Sequence, residues 1–566
     1  MKKIAICGKD ISKFTVVYDP AEGENVVFAV SEFVRYIEAA SGVRLNAVTP
    51  REVTPMMLSK IKIGQAVNSG SYDITGEEDF IIRYYPDMVR ILGGQPRGTL
   101  YGVYDFLERE IGWRFLTPDC ETLTGGDVDL SPMKRSWKPA FEWRDVCSAV
   151  YWPADIAAKR KLNSSYSRSL DAKRGGSFFY PGRFIHTMES LLGVPQHHQP
   201  CFSDPENVKK CVASVRELLR ANPDARVISV SQNDGEMDED THCTCPRCAA
   251  IDAEEGSHAG SLLRFVNAVA EEIEPEFPKV RIMTLAYLHT LECPKITRPR
   301  RNVIMEFAPI SMNFCRPVTD PCNSGFISEF EKWTAITDKI YLWDYIVDFS
   351  FTVPVFPNFG TLRQNVAYYA SHNVTGMFME GDNYAEDGRC TDLCELRGYL
   401  ISQLLCDPFM SEETLARHRS EFLEGYYGPG GKHIGRFVDI VTELINMPDR
   451  KLHVFQNPQT LFDIPSFISR MPEMEECWNA AESAADSEPQ LAHVRRSRLC
   501  YTYLKLLYAF DALAENPDTR AAVLEENERF YKALKAIEMR PRGLGVENAL
   551  PEITDFTKNA AVGIYW

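Results

Sequence analysis

Carboxyl groups stand at three places in this chain where apolar, strand-like runs stop. The run Arg226-Val-Ile-Ser-Val-Ser231 ends in Gln232-Asn233-Asp234-Gly235-Glu236. A second run ends in Gly376-Met-Phe-Met-Glu380-Gly-Asp382, and a third contains Trp343-Asp344-Tyr345. In parallel α/β folds, catalytic groups sit at the C-terminal ends of strands. Carboxyls brought together there can donate and accept protons. Asp234 and Glu380 are the two principal acids of this reading, with Asp344 and Glu236 as reserves. Each also has a plain structural role to fill. Asp234 can cap a turn, and Glu236 opens the acidic run 236–240, a pattern typical of a solvated loop. A purely structural acid at 380, flanked by apolar residues, would need a buried partner.

Other polar and aromatic residues cluster near the same strand ends. Asn233 adjoins Asp234. Tyr287, Trp343 and Tyr345 can stack on a substrate ring or simply fill a core. His186, in Arg183-Phe-Ile-His-Thr187, can hydrogen-bond a hydroxyl, and Asn163 has similar standing. Cys243-Thr-Cys245-Pro-Arg-Cys248 can pin the loop that follows Asp234. Its thiols can hold a structural zinc. The spacing is not that of a zinc finger, however, and no second cysteine pair follows. A reduced or disulfide-linked hairpin is therefore the reading adopted, with no required metal or cofactor. Gly93-Gly94 and Gly428-Pro-Gly-Gly431 are turn glycines and precede neither a P-loop nor a dinucleotide fingerprint.

These residues need a frame. From residue 139 onward the pattern alternates strand and helix. Candidate strands are 141–147, 161–165, 177–180, 226–231, 280–287, 302–307, 339–345 and 374–379, with helices at 205–221, 261–274, 325–334 and 361–371. That count and length predict a (β/α)8 TIM-like barrel over residues 135–410. Residues 1–130 predict a small α/β sandwich. Residues 411–566 predict a helical domain, with amphipathic segments at 412–427, 433–445, 464–486, 491–515 and 521–540.

Composition narrows the partners. The chain has 566 residues, 62 Lys and Arg against 79 Asp and Glu, and a net charge of −17. That balance argues against nucleic acid or an anionic membrane as partner. No apolar stretch is long enough to span a bilayer. The apolar run after Met1-Lys-Lys is too short for a signal peptide. Cysteines such as Cys211, Cys406, Cys477 and Cys500 lie singly in apolar runs. The expectation is a cytoplasmic protein, or an exported one if a signal preceded this start. Nothing in the sequence specifies an oligomeric state.

Longer motifs carry a family resemblance. Gly94-Gln-Pro-Arg-Gly-Thr-Leu-Tyr-Gly-Val-Tyr-Asp-Phe-Leu-Glu108, with Ile111-Gly-Trp-Arg-Phe115, resembles the accessory domain that precedes the barrels of β-hexosaminidases and α-glucuronidases. His198-Gln-Pro-Cys-Phe-Ser-Asp-Pro205, Ile228-Ser-Val-Ser-Gln-Asn-Asp234, the Cys-x-Cys-x-x-Cys segment and Tyr426-Tyr-Gly428 together resemble the domain of unknown function 4838. That group includes glycoside hydrolase family 163. The resemblance implies a barrel with endo-β-N-acetylglucosaminidase activity on glycans, with an oligosaccharide as partner. Two carboxyls would then flank the glycosidic bond, or one would orient the substrate's own acetamido group as nucleophile. The alternatives are an exo-β-hexosaminidase or glucuronidase on the same scaffold, or a non-catalytic glycan-binding protein.

Overall fold

The computed structural model describes residues 1–70, 72–164, 170–178, 180–235, 242–381 and 392–536. In the N-terminal part, strands with alternating buried and open positions, such as Ser59-Lys-Ile-Lys-Ile63, build a six-stranded mixed sheet. Helices Glu24–Ser41 and Gly98–Phe106 pack against each other and on this sheet. The first ends at Gly42, whose φ of 76° is the left-handed cap that glycine accepts without strain. The sheet takes its edge strand from Met133–Trp137, just past residue 130.

The second sheet is parallel and positions the candidate site. Its strands are β1 (Trp143–Cys147), β2 (Val227–Ser229), β3 (Arg281–Ala286), β4 (Val303–Phe307), β5 (Ile340–Tyr345) and β6 (Val374–Glu380). Their order is β1-β6-β5-β4-β3-β2. Such runs are apolar on both faces because helices cover one side and the curled interior the other. Trp143 fills that interior, stacking on Phe378 at 5.8 Å and meeting Tyr341, Tyr180 and Phe184.

This is a curled half-barrel, and the predicted eight-stranded closure is not seen among the described residues. Residues 161–164 and 177–178 form no continuous strand. They meet only in one parallel bridge, Ser164 to Phe178. The local cause is backbone geometry. Lys161 has a φ of 56°, which an extended strand cannot sustain, and Gly175 and Gly176, also with positive φ, turn the chain just ahead of Ser177. Single hydrogen bonds cross the gap instead: Asn163 N–H donates to the Arg144 carbonyl (3.2 Å), and Phe178 N–H to the Asn163 carbonyl (2.5 Å). On the far side, Thr187 N–H donates to the Ser231 carbonyl at 3.1 Å.

A buried charge network ties the two sheets together. Arg144 is fully buried and donates to Glu78 at 2.5 Å, and Arg97 donates to the same carboxylate at 2.7 Å. Burial works to raise the Glu78 pKa, but Arg144 and Arg97 hold it below the ordinary value. Asn163 donates to Glu78 at 2.8 Å and accepts from Arg144 N–H at 2.9 Å. Its amide is used up in this joint and does not face a substrate.

The C-terminal helices are Glu412–Tyr427, Gly431–Ile445, Ile464–Ala484, Glu488–Glu515 and Arg520–Ala536. Helix Glu488–Glu515 begins ahead of the predicted 491. Pro489 sits in its first turn, where its missing N–H costs nothing. No helix among the described residues is long and apolar enough to cross a membrane.

Candidate active site

Strand pairing sorts the candidate residues by face. Glu380, the last residue of β6, pairs with Tyr345 on β5 and with Cys147 on β1. Side chains alternate along a strand. Trp343, Tyr345, Phe378 and Glu380 therefore share the inner face, while Asp344 and Met379 share the outer one. The contacts agree. Trp343 meets Phe378 at 4.4 Å and Phe184 at 5.7 Å, and its indole N–H donates to Oε2 of Glu380 at 2.7 Å. Trp343 is thus mostly core, and it presents a donor to the acid rather than a stacking face.

Asp344 lies behind the sheet, beside Met379, Asn365 and Val366 of helix Leu362–Ser371. The expectation that it opens into the mouth is corrected, because a one-residue step along a strand reverses the face. Its carboxylate accepts from Tyr345 N–H at 2.9 Å, and burial pushes its pKa up to about 7.

The end of β2 divides its polar residues between anchoring and exposure. Asn233 is buried, and its amide donates to the carbonyls of Val194, Pro195 and His198 while accepting from Glu189 N–H. Gln199 clamps the Asn233 backbone from both sides, at 2.8 and 3.1 Å. Asn233 therefore anchors the 186–199 segment and has no capacity left for a substrate. Asp234 is the open one, with its side chain 42% exposed. Glu236 lies outside the described residues.

His186 faces Asp234 across 3.9 Å, from Nε2 to Oδ1. Its Nδ1 lies 2.9 Å from the Gln232 carbonyl. A carbonyl only accepts, so Nδ1 carries the proton. Burial holds the ring's pKa below the ordinary value, against the pull of Asp234, so the imidazole is neutral at pH 7. Its Nε2 is then an acceptor opposite a carboxylate. A hydroxyl donor between the two satisfies that arrangement. Tyr287 adjoins the His186 ring at 6.1 Å.

Tyr345 joins the two halves of the site. Burial, then the charges of Tyr287, Glu380, Asp234 and Glu306, push its phenol well above the ordinary value. It stays protonated and available as a donor, within the fields of acids at the ends of β2 and β6 and on β4.

Glu306, in Val303-Ile-Met-Glu306-Phe307, is the acid that sequence reasoning missed. It is fully buried, and neither carboxyl oxygen has a hydrogen-bond partner among the described residues. Burial and the charge of Glu380 raise its pKa to about 8, so it is neutral at pH 7. An acid inside an apolar strand is the same signal that singled out Glu380, and it was legible.

Cys243, Cys245 and Cys248 do come together, and Cys201 joins them from the segment before helix Pro205–Ala221. None is in a disulfide.

Comparisons add context at the level of fold. The structure resembles that of a GH138 enzyme targeting pectin rhamnogalacturonan II, with a TM-score of 0.56 and 10% identity over 97% of this chain and 98% of that one. The family 84 glycoside hydrolase CpGH84D aligns over 98% of this chain and 96% of its own, at 10% identity and a TM-score of 0.47. No curated protein matches the chain in sequence. The family model of the Domain of unknown function (DUF4838) matches residues 135–439, which span the parallel sheet and the site at its strand ends, so the chain belongs to the DUF4838 family.

Proposed function

We propose that the protein is a glycoside hydrolase that cleaves β-linked N-acetylglucosamine units within glycans, endo-acting and with retention. The observation that carries this reading is a pair of acids at strand ends of one parallel sheet: Glu380, which accepts from the Trp343 indole at 2.7 Å, and the exposed Asp234, 3.9 Å from His186. Acids that strands hold on one rigid frame suit bond cleavage better than passive binding. Glu380, held by Trp343, and Asp234, exposed beside His186, are the groups that meet the substrate. Glu306 keeps a proton beneath Glu380, since two adjacent buried carboxyls do not both ionise. Protonation of the leaving oxygen and orientation of the acetamido group are divided between Asp234 and Glu380.

The likeness in fold to the GH138 enzyme supports the class and not the substrate. A neutral sugar suits the site better than a uronic acid, because no Arg or Lys stands among the described residues that directly follow the six strands, and Arg183, whose charge reaches His186, is paired with Glu189 at 2.9 Å. Product analysis on a panel of N-acetylglucosamine-containing oligosaccharides tests the proposal. Internal cleavage that releases the β-anomer first is expected. Failure to cleave any member, with binding retained, would leave a glycan-binding protein.

A further inference from the structure

The four cysteines beside the site raise a question separate from the hydrolysis of sugars. Cys201 lies in the segment that leads into helix Pro205–Ala221. Cys243 precedes helix Pro246–Glu255, Cys245 is its N-cap, and Cys248 lies in its first turn. Their four sulfurs all lie within 4.8 Å of one another. Cys201 Sγ is 3.5 Å from Cys245 Sγ and 3.8 Å from Cys248 Sγ. All four cysteines are free, and these two separations are far longer than the about 2.05 Å of a disulfide. They match the edges of a tetrahedron with Zn–S bonds of about 2.3 Å, which are about 3.8 Å long.

The surroundings also fit thiolates. Cys248 N–H donates to Cys245 Sγ at 3.4 Å, so the Cys-Pro-Arg-Cys turn folds its backbone toward sulfur. The Ser203 hydroxyl lies 3.2 Å from Cys248 Sγ and 3.7 Å from Cys245 Sγ. The N-terminus of a ten-residue helix adds positive potential at Cys245 and Cys248. Four thiols gathered from two separate segments, with none paired, have little reason to meet in a reduced protein unless an ion holds them.

We propose that Cys201, Cys243, Cys245 and Cys248 bind one zinc ion in a closed, structural site of four thiolates. Four protein ligands leave no open coordination position, so the ion fastens rather than catalyses. It joins the 198–204 segment to the one that follows the β2 end. Gln199, two residues from Cys201, clamps Asn233 beside Asp234. The proposal stands whether or not the protein proves to be a glycosidase.

The test is metal analysis of the full-length protein, produced in zinc-supplied medium under reducing conditions. One zinc per chain is expected, and replacement by cobalt should give thiolate-to-metal charge transfer and the visible bands of a tetrahedral ion. Cys201→Ser should lose the zinc, and Cys201→His, which restores a ligand, should recover it. Should the serine variant fail to fold, alkylation and peptide mapping of the unaltered protein still decide: the four cysteines should be protected until a strong chelator or mercurial releases zinc. Four freely alkylated thiols without zinc, a disulfide among them, bound iron in place of zinc, or zinc that persists in folded Cys201→Ser would each overturn the proposal.

Discussion

The indole N–H of Trp343 points at Oε2 of Glu380 across 2.7 Å, between neighbouring strands of the parallel sheet. A donor so placed stabilises the carboxylate over the carboxylic acid. It also fixes the rotamer of a side chain that is only 6% exposed. Trp343 therefore orients Glu380 and favours its charged form.

Trp343→Phe removes that donor and keeps most of the ring volume. A hydrogen bond to a charged group contributes about 1.5–3 kcal/mol. Whichever protonation state of Glu380 the reaction uses, the limb it sets in the pH profile should move to higher pH by about one unit. A profile with both limbs unmoved, on a folded variant, would remove Trp343 from the site.

Glu306 carries a second pH effect, this time on stability. Its folded-state value of about 8 lies above the ordinary carboxyl value of about 4.3. Between those values the folded form holds a proton that the unfolded form has lost, so stability falls as pH rises through that window and levels off above it. Asp344, raised to about 7, adds a slope of the same sign over a shorter range. Glu306→Gln keeps the shape and cannot ionise. Urea midpoints measured from pH 5 to 9 should show a flatter decline in the variant, and greater stability than the parent at pH 9. Parallel curves for the two proteins would mean that Glu306 is not held neutral.

The parallel frame was legible in the sequence because its signal is local. Apolar runs such as Val303–Phe307 and Val374–Glu380 mark most of its strands directly, and three of them, β4, β5 and β6, carry Glu306, Asp344 and Glu380. The runs at 161–165 and 177–180 look extended in sequence, and among the described residues they give one parallel bridge, with a positive φ at Lys161 that interrupts the first. The direction of Asp344 was legible from its position between Trp343 and Tyr345, had alternation been applied to all three. What Asn233 does was not legible. Its partners Val194, Pro195 and His198 are carbonyls, which any residue types would supply. Cys201 was hidden by distance, since it lies 42 residues before Cys243 and only folding brings them together.

Asn233 should prove a stability residue rather than a binding one. Asn233→Ala leaves three carbonyls and the Glu189 N–H without their partner. Glu189, Pro195 and His198 are exposed, so water takes over part of these bonds, and each lost one costs about 0.5–1.5 kcal/mol. Unfolding by urea should therefore show a loss of at least about that size. The affinity of any bound glycan, measured on the folded fraction by calorimetry, should change much less than it does in Asp234→Asn. A stable Asn233→Ala with abolished binding would reverse the assignment.

The strand faces make the sharpest comparison, because three carboxyls can be tested with one kind of substitution. Asp234 and Glu380 stand at the strand ends on the side of Tyr345, while Asp344 packs against helix Leu362–Ser371 behind the sheet. Asp234→Asn and Glu380→Gln remove a charge or a proton and keep the shape. Each should lower turnover by about two orders of magnitude or more, the scale of general acid–base assistance. Asp344→Asn should leave turnover within about threefold, since surface or core changes away from the reacting atoms act mainly on stability. Its own effect should be a gain in stability that grows from about pH 4 to about pH 7, where the parent's unfolded carboxyl is ionised while the folded one holds its proton, and that is kept above pH 7. Turnover of the three variants, measured at one pH on a substrate that the parent cleaves, decides the matter. A large loss in Asp344→Asn with little loss in Glu380→Gln would show that the chemistry uses the other face of β5.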